Sequence, residues 1–524
     1  MPVKQPPSLL RHGSILSLLT LASRVLGLVR EMTKAALLGT GALSDAFSVA
    51  FIIPNLFRRL FAEGSISVAF IPVFKSTLLD NDAAKTREFL ACFFSVLSFF
   101  VSIACGAGIL AAPALVRLFG DGAFDETVFL TRLMFPFLAF VSVAALFQGV
   151  LNSVNVFAPA GFAPVLLNVS CIGCAWLLKD VAGNGARAMA IGVLAGGALE
   201  AAIQLPFVLK SGFRFGLRRL GRALKNKQTR AVFALIGPTI IGMAAYQLND
   251  LVSSALACRA GLGVLSSLQY SLRLQELILG VFAVSIGTVL LPKLTEAAQK
   301  SDWAAYNKQL TAAVNVIALI TVPVTVFSLL YGEQLIRILF QFRNFDESSV
   351  RLTLTAFNCH IAGLFFIALN RILAPAFYAR KDTVSPTAAG IVSFAVNIAL
   401  AAFLAGPLRG GGIALALSVS GAVNTVVLCV LMRRRAAAAP DEPVPAFWVP
   451  VRYVGKVALV AAVCGAPLVL AKKYAAAILG AAGIAGRPAL ITETLVCGVL
   501  FVALCLVVLA VSGDPYIRAL RRRR

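Results

Sequence analysis

Apolar runs of about 20 residues recur along this chain between residues 14 and 512, the helical length that crosses a hydrocarbon core about 30 Å thick. Inside lipid every backbone group must be satisfied internally, so only helices and closed barrels span it. Barrel strands alternate apolar and polar residues, and no such alternation runs through these segments. The expected fold class is all-α, a polytopic membrane protein. Composition agrees, with 59% of the 524 residues hydrophobic and 13% charged, against roughly half and a quarter in soluble domains.

Fourteen spans are expected. Seven lie at 14–38, 42–72, 88–119, 126–154, 160–180, 187–210 and 229–258. The others lie at 264–294, 305–331, 350–378, 384–405, 411–433, 448–471 and 490–512. Lys and Arg concentrate on the cytoplasmic side of membrane proteins. With basic residues toward span ends counted in the adjoining connector, the connectors after even-numbered spans and both termini hold 28 of the 47 basic residues, and those after odd-numbered spans hold 12. Both termini are therefore expected in the cytoplasm. The net charge of +24 needs no nucleic acid to explain it, because it sits in these connectors. The first apolar run lacks a small-residue cleavage site and is followed by further spans, so no cleavable signal peptide is expected.

The connector Lys210–Arg230 has eight basic residues and no acidic one, and it halves the chain after six spans. Gly41–Pro72 can be laid on Gly261–Pro292 without gaps, matching Gly41/Gly261, Ser65/Ser285, Ile66/Ile286 and Pro72/Pro292. NVFAPAGFAPV after span 4 is similar to ARKDTVSPTAA after span 10, each a turn followed by Pro and small residues. Six spans per half give two copies of one orientation. The expected organisation is a first lobe at 1–210, a basic connector at 211–230 and a second lobe at 231–435. A linker at 436–447, spans 13 and 14 within 448–512 and a basic tail at 513–524 follow.

Seven basic residues fall inside spans: Arg24, Arg30, Lys34, Arg58, Arg59, Arg273 and Arg371. Each costs about 2.5–3.5 kcal/mol at mid-span, and such residues usually face an interior or an aqueous cavity. Six of the seven lie in spans 1, 2 and 8, where the acidic residues are Glu31, Asp45, Glu63 and Glu276. Arg59 and Glu63 are spaced to pair on one helix face, as are Arg273 and Glu276. That leaves Arg24, Arg30, Arg58 and Lys34 incompletely neutralised, and guanidinium groups grip phosphate or carboxylate bidentately. The competing reading is that Arg24 snorkels and that Arg58 and Arg59 mark a loop between two short helices. Pro54 and Gly64 bracket the arginines, so a bent or broken span 2 is expected.

Other chemistry is thinly represented. Cys171 and Cys174 have CxxC spacing inside LLNVSCIGCAWLL and read as packing residues. His12 and His360 make no ligand set alone. The cluster Asp121, Asp125 and Glu126 has no histidine beside it, so no enzyme is expected. GxxxxGK[ST] is absent, so no nucleotide drives the protein. No cofactor is expected, and energy would come from membrane potential, a sodium or chloride gradient, or downstream consumption.

SRVLGLVRE (Ser23–Glu31), Ser44–Phe74, FAPVLLN (Phe162–Asn168), GTVLLPKL (Gly287–Leu294) and LAPAFYARKD (Leu373–Asp382) resemble the MurJ/MviN family of the MOP exporter superfamily. The resemblance covers essentially the whole chain. It implies an inner-membrane flippase, V-shaped, with two six-helix lobes around a cationic cavity. The implied substrate is lipid II, undecaprenyl-pyrophosphate-linked disaccharide pentapeptide, moved from inner to outer leaflet by alternating access. The family's functional positions fall on Arg24, Arg30, Asp45, Arg58 and Glu63, and on Arg273 and Glu276. Asn55 and Arg59 belong to the same motif, and Glu31 to the span-1 segment. Spans 13 and 14 would form a groove for the lipid tail. Implied partners are lipid II, membrane lipids and other cell-wall synthesis proteins. Relatives often carry Asp before the span-8 arginine and Pro two residues after the Glu, where this chain has Leu272 and Ile278. The nearest candidates for a sodium site known in some relatives are Asp250 and Asn397. The alternatives are export of another polyprenyl-pyrophosphate-linked glycan, or a multidrug-type exporter, whose usual cationic cargo suits an arginine-rich site poorly.

Overall fold

The structure is a computed structural model that describes residues 9–59, 64–120, 122–438, 448–481 and 486–522. All regular elements among the described residues are helices. They begin with α1 (Leu9–Leu38), α2 (Ala42–Phe57), α3 (Gly64–Leu79), α4 (Ala83–Arg117), α5 (Phe124–Met134) and α6 (Phe137–Ser153). Next come α7 (Ala158–Leu178), α8 (Gly185–Lys210), α9 (Leu220–Lys225), α10 (Lys227–Ala260), α11 (Val264–Gln299) and α12 (Trp303–Phe340). The last are α13 (Glu347–Ala362), α14 (Leu364–Ala379), α15 (Val384–Ala438), α16 (Trp448–Ala481), α17 (Gly486–Val511) and α18 (Pro515–Arg522).

Among the described residues eight helices are long and apolar enough to cross a membrane, or nine when α13 and α14 count as one bent span. Helix α1 has 30 residues, enough length to span, but Arg24, Arg30, Glu31 and Lys34 interrupt its apolar character. Span 2 is broken. Helix α2 ends at Phe57, Arg58 and Arg59 form a wider helical turn, and α3 starts at Gly64. Helix α15 covers two expected spans, and its backbone turns at Arg409, with φ 46° and ψ −128°.

By contact the chain falls into two compact units, Met1–Ser266 and Ser267–Arg524, so α10 packs with the helices before it. In the first unit Phe70, Phe74, Phe89 and Phe93 stack with centroids 5.0–6.2 Å apart. The basic connector is anchored on this core. Phe213 packs on Phe74 at 5.5 Å and Phe215 on Phe147 at 5.1 Å, while Arg222 pairs with Glu88 at 2.7 Å. In the second unit α16 and α17 pack on α12 around Tyr331, Cys464, Cys497 and Phe501.

The internal repeat is written in the backbone. Left-handed residues occur at Asn81 (φ 53°) and Ser301 (φ 55°), and at Ala123 (φ 48°) and Arg343 (φ 45°). Both pairs have the offset that carries Gly41 onto Gly261. Asp82 and Asp302 then cap the N-termini of α4 and α12 through side-chain acceptors, a preferred cap because its oxygen satisfies orphan amides. Turns with Asn155 (φ 61°) and Lys381 (φ 59°) end α6 and α14. Asp382 accepts from the amides of Val384 and Ser385 and pairs with Arg435. Burial alone would raise its pKa, but the Ser385 hydrogen bonds and the Arg435 charge hold it below the usual range.

The fourth span of each half is interrupted, at Phe135–Pro136 in one and at Gly363 in the other. The α13–α14 bend is 44°, and it sits at Gly363 rather than at Pro375, which lies inside α14. Crowding explains the glycine, since a Cβ there would stand 2.4–2.7 Å from Ser418 atoms, backbone included. Gly363→Ala is expected to lower stability by about 1–3 kcal/mol through overpacking. Thermal unfolding in detergent checks this, and an unchanged midpoint contradicts it.

Candidate functional site

Residues Ser44, Ser48, Phe51, Asn55 and Arg58 recur at alternating spacings of four and three, so they share one face of α2. Two basic residues of α1 meet this face. Lys34 is buried, and its Nζ donates to Ser48 Oγ at 2.6 Å and lies 5.9 Å from the Phe47 ring. Ser48 Oγ in turn donates to the Ser44 carbonyl at 2.7 Å. Arg30 donates to Glu31 at 2.8 Å, with both side chains mostly buried, and its guanidinium lies 5.7 Å from the Phe51 ring. The sequence pattern left Arg30 incompletely neutralised, and this pairing corrects it. Although the helix turns about 100° between neighbours, a guanidinium on a flexible stem reaches across.

Arg58 Nε donates to Asn55 Oδ1 at 2.7 Å, holding the guanidinium against the last turn of α2. Arg59 donates to Gln247 at 3.5 Å and lies 3.8 Å from Asp250 on α10. Glu63, the partner expected for Arg59, lies outside the described residues. Arg24 is partly buried on α1. Nearby, Asn168 of the FAPVLLN segment donates to the Ser23 carbonyl at 3.3 Å and ties α7 to α1. Five cations (Arg24, Arg30, Lys34, Arg58 and Arg59) thus stand against Glu31, Asp45 and Asp250 among the described residues named here.

Asp45 is hydrogen-bonded to backbone amides rather than to one of the arginines named above. Its carboxylate is buried and accepts from the backbone amides of Gly263 at 2.6 Å and Ser266 at 2.9 Å, capping the start of α11. Those amides are the orphan donors of a helix N-terminus, where negative charge is favoured. Gly263 has φ +76°, and a Cβ there would approach the Thr40 backbone at 3.0 Å, so only glycine makes this turn comfortably. No local pattern could reveal the partners of Asp45, because its donors are backbone amides 218 and 221 residues away.

In the second unit Arg273 approaches Glu276 at 3.4 Å, as the spacing predicts, and Glu276 is largely exposed. Leu274 beside them is buried. Sequence reading missed what lies on the other side of this helix. Ser271 Oγ and His360 Nδ1 are 2.6 Å apart, and Gln275 Nε2 donates to the His360 carbonyl at 2.6 Å, all three residues being buried. Two polar residues at i and i+4 inside an apolar helix were the available signal.

The two sodium candidates do not make one site within either unit. Asp250 belongs to the first and faces Arg59, which already supplies a cation there, while Asn397 is buried in the second. Arg371 is exposed.

The model of the family described as "Lipid II flippase MurJ" matches residues 34–481. The chain is 48% identical over 438 residues to the probable lipid II flippase MurJ of Treponema pallidum, covering 82% of this chain and 83% of the relative. This chain belongs to the MurJ family. It is also 34% identical over 431 residues to the lipid II flippase MurJ of Burkholderia cenocepacia, covering 80% and 83%. A solved lipid II flippase MurJ in an inward closed conformation shares the fold, with a TM-score of 0.75 at 21% identity over 94% of this chain and 98% of that one. An inward-facing MATE transporter of the MOP superfamily shares it more distantly, with a TM-score of 0.64 at 14% identity over 79% and 95%. The chain is thus a multi-pass membrane protein of a transporter family.

Removing the Asp45 cap tests the geometry locally. Asp45→Ala leaves two amides without their acceptor and is expected to cost about 1–3 kcal/mol, with faster hydrogen exchange at Gly263 and Ser266 than elsewhere in α11. Uniform exchange along α11 would contradict the assignment.

Proposed function

We propose that this protein moves lipid II across the bacterial inner membrane from the inner to the outer leaflet by alternating access. The pyrophosphate is bound by Arg24, Arg30, Arg58 and Arg273, while the polyprenyl tail stays in lipid beside spans 13 and 14. The observation that carries this reading is the surplus of cations along α1 and α2. Asp45 is committed to backbone amides and Glu31 to Arg30, so the added charge of a pyrophosphate is matched by arginine rather than repelled by carboxylate.

A guanidinium presents a planar fork to phosphate oxygens, and such bonds strengthen where water is scarce. The free protein holds these charges by local substitutes: a neighbouring carboxylate for Arg30, an amide for Arg58, aromatic rings for Arg30 and Lys34. A pyrophosphate offers several acceptors at once and replaces them. The ligand then favours whichever conformation lets more arginines reach it, because a ligand shifts an equilibrium only by differential affinity. Both termini lie in the cytoplasm in this reading, on the basic-connector count. Cycling is driven by membrane potential, an ion gradient or consumption of the product outside, and other cell-wall synthesis proteins are its partners.

Each of Arg24→Ala and Arg273→Ala is expected to lower flipping of lipid II in proteoliposomes at least about tenfold, the loss of one charge-assisted contact, without lowering the unfolding temperature. Complementation of a flippase-depleted strain gives the cellular counterpart. Full flipping and full complementation by both variants would sink the proposal.

A further inference from the structure

The α13–α14 bend frees backbone carbonyls inside a membrane bundle, where each must find a partner. The Cys359 carbonyl accepts from Ser418 Oγ at 2.6 Å, and the His360 carbonyl accepts from Gln275 Nε2 at 2.6 Å. The His360 ring is bonded through Nδ1 to Ser271 at 2.6 Å, the donor depending on the ring tautomer. Ser271, Gln275, His360 and Ser418 are all buried. Helix α11 is therefore fastened to the bend at two points one turn apart, and α15 at a third.

The first half makes the same contact with different chemistry. Phe51 aligns with Ser271 by the repeat offset. It packs on Phe137, just after the Phe135–Pro136 break, with ring centroids 6.4 Å apart, and Phe57 packs on Phe135 at 6.2 Å. Ring contacts tolerate sliding and rotation, whereas paired hydrogen bonds fix a helix's rotation to within their narrow distance and angle range. Among the described residues the pinned version is found in the second half, and there the pinned helix carries a proposed substrate arginine. With about 100° per residue, Ser271 and Gln275 lie about 40° apart on α11, while Arg273 and Glu276 lie on the far side, about 200° and 140° from Ser271.

We infer that Ser271, Gln275 and His360, backed by Ser418, are positioning residues that set the aim of Arg273 toward the pyrophosphate. This rests on the reading of Arg273 as a substrate ligand. Gripping one face of α11 fixes where the opposite face points, so losing the grip lets Arg273 swing without removing it.

The test is equilibrium binding of undecaprenyl pyrophosphate to the purified full-length protein, with unfolding temperature measured in parallel. Ser271→Ala and Gln275→Leu are each expected to weaken binding about fivefold or more, and His360→Asn, whose Oδ1 can replace Nδ1 as acceptor for Ser271, to bind like the parent. In an Arg273→Ala background Ser271→Ala and Gln275→Leu are expected to weaken binding no further, since a positioning residue acts only through the group it positions. Losses that add to that of Arg273→Ala, or parent-like binding by both Ser271→Ala and Gln275→Leu, overturn the inference while leaving Arg273 as a ligand. Parent-like binding by Arg273→Ala overturns the ligand reading, and the inference with it. Should Gln275→Leu fail to fold, Ser271→Ala, which only removes an oxygen, decides alone.

Discussion

A positive charge inside an apolar helical bundle has to be answered by something other than water, and most of this site follows from how that is done. Lys34 is answered by a serine hydroxyl, Arg30 by its neighbour Glu31 and by a phenylalanine ring, Arg58 by an asparagine. These are weaker partners than a buried phosphate would be, because a neutral acceptor or a ring face stabilises a cation less than a multivalent anion does. Asp45 has the charge to answer them and spends it on the turn before α11. The cations are thereby held in the membrane by exchangeable local partners, which a multivalent anion can replace.

The repeat shows how one architecture carries two chemistries. Left-handed turns and aspartate caps recur at matching positions in the two halves, since backbone geometry is what a helical scaffold needs to reproduce. Side chains at equivalent places have diverged. At the interrupted fourth span the α2 contacts are aromatic rings in one half, and the equivalent α11 contacts are hydrogen bonds in the other. Backbone carbonyls freed by the 44° bend at Gly363 demand donors, and Ser418 and Gln275 supply them.

Much of the fold was legible because lipid allows so few solutions: apolar runs of spanning length had to be helices. The Arg273–Glu276 pair was legible because i,i+3 neighbours meet on any helix. What the sequence hid are contacts set by tertiary placement. Arg59 lies 3.8 Å from Asp250 across 191 positions of chain, a contact that no local spacing encodes. The bend of span 10 lies at Gly363 because Ser418 leaves no room for a Cβ, a steric fact that no local pattern encodes. His360 reads as an isolated histidine until Ser271 and Gln275 are brought to it.

The central claim is that partly buried arginines are held ready for a pyrophosphate. The most direct measurement is a structure of the full-length protein determined with undecaprenyl pyrophosphate bound. The account predicts phosphate oxygens about 3 Å, a charge-assisted hydrogen-bond distance, from the guanidinium groups of Arg24, Arg30 and Arg58, with Arg30 released from Glu31. A pyrophosphate bound elsewhere, with the Arg30–Glu31 and Arg58–Asn55 contacts unchanged, would contradict it.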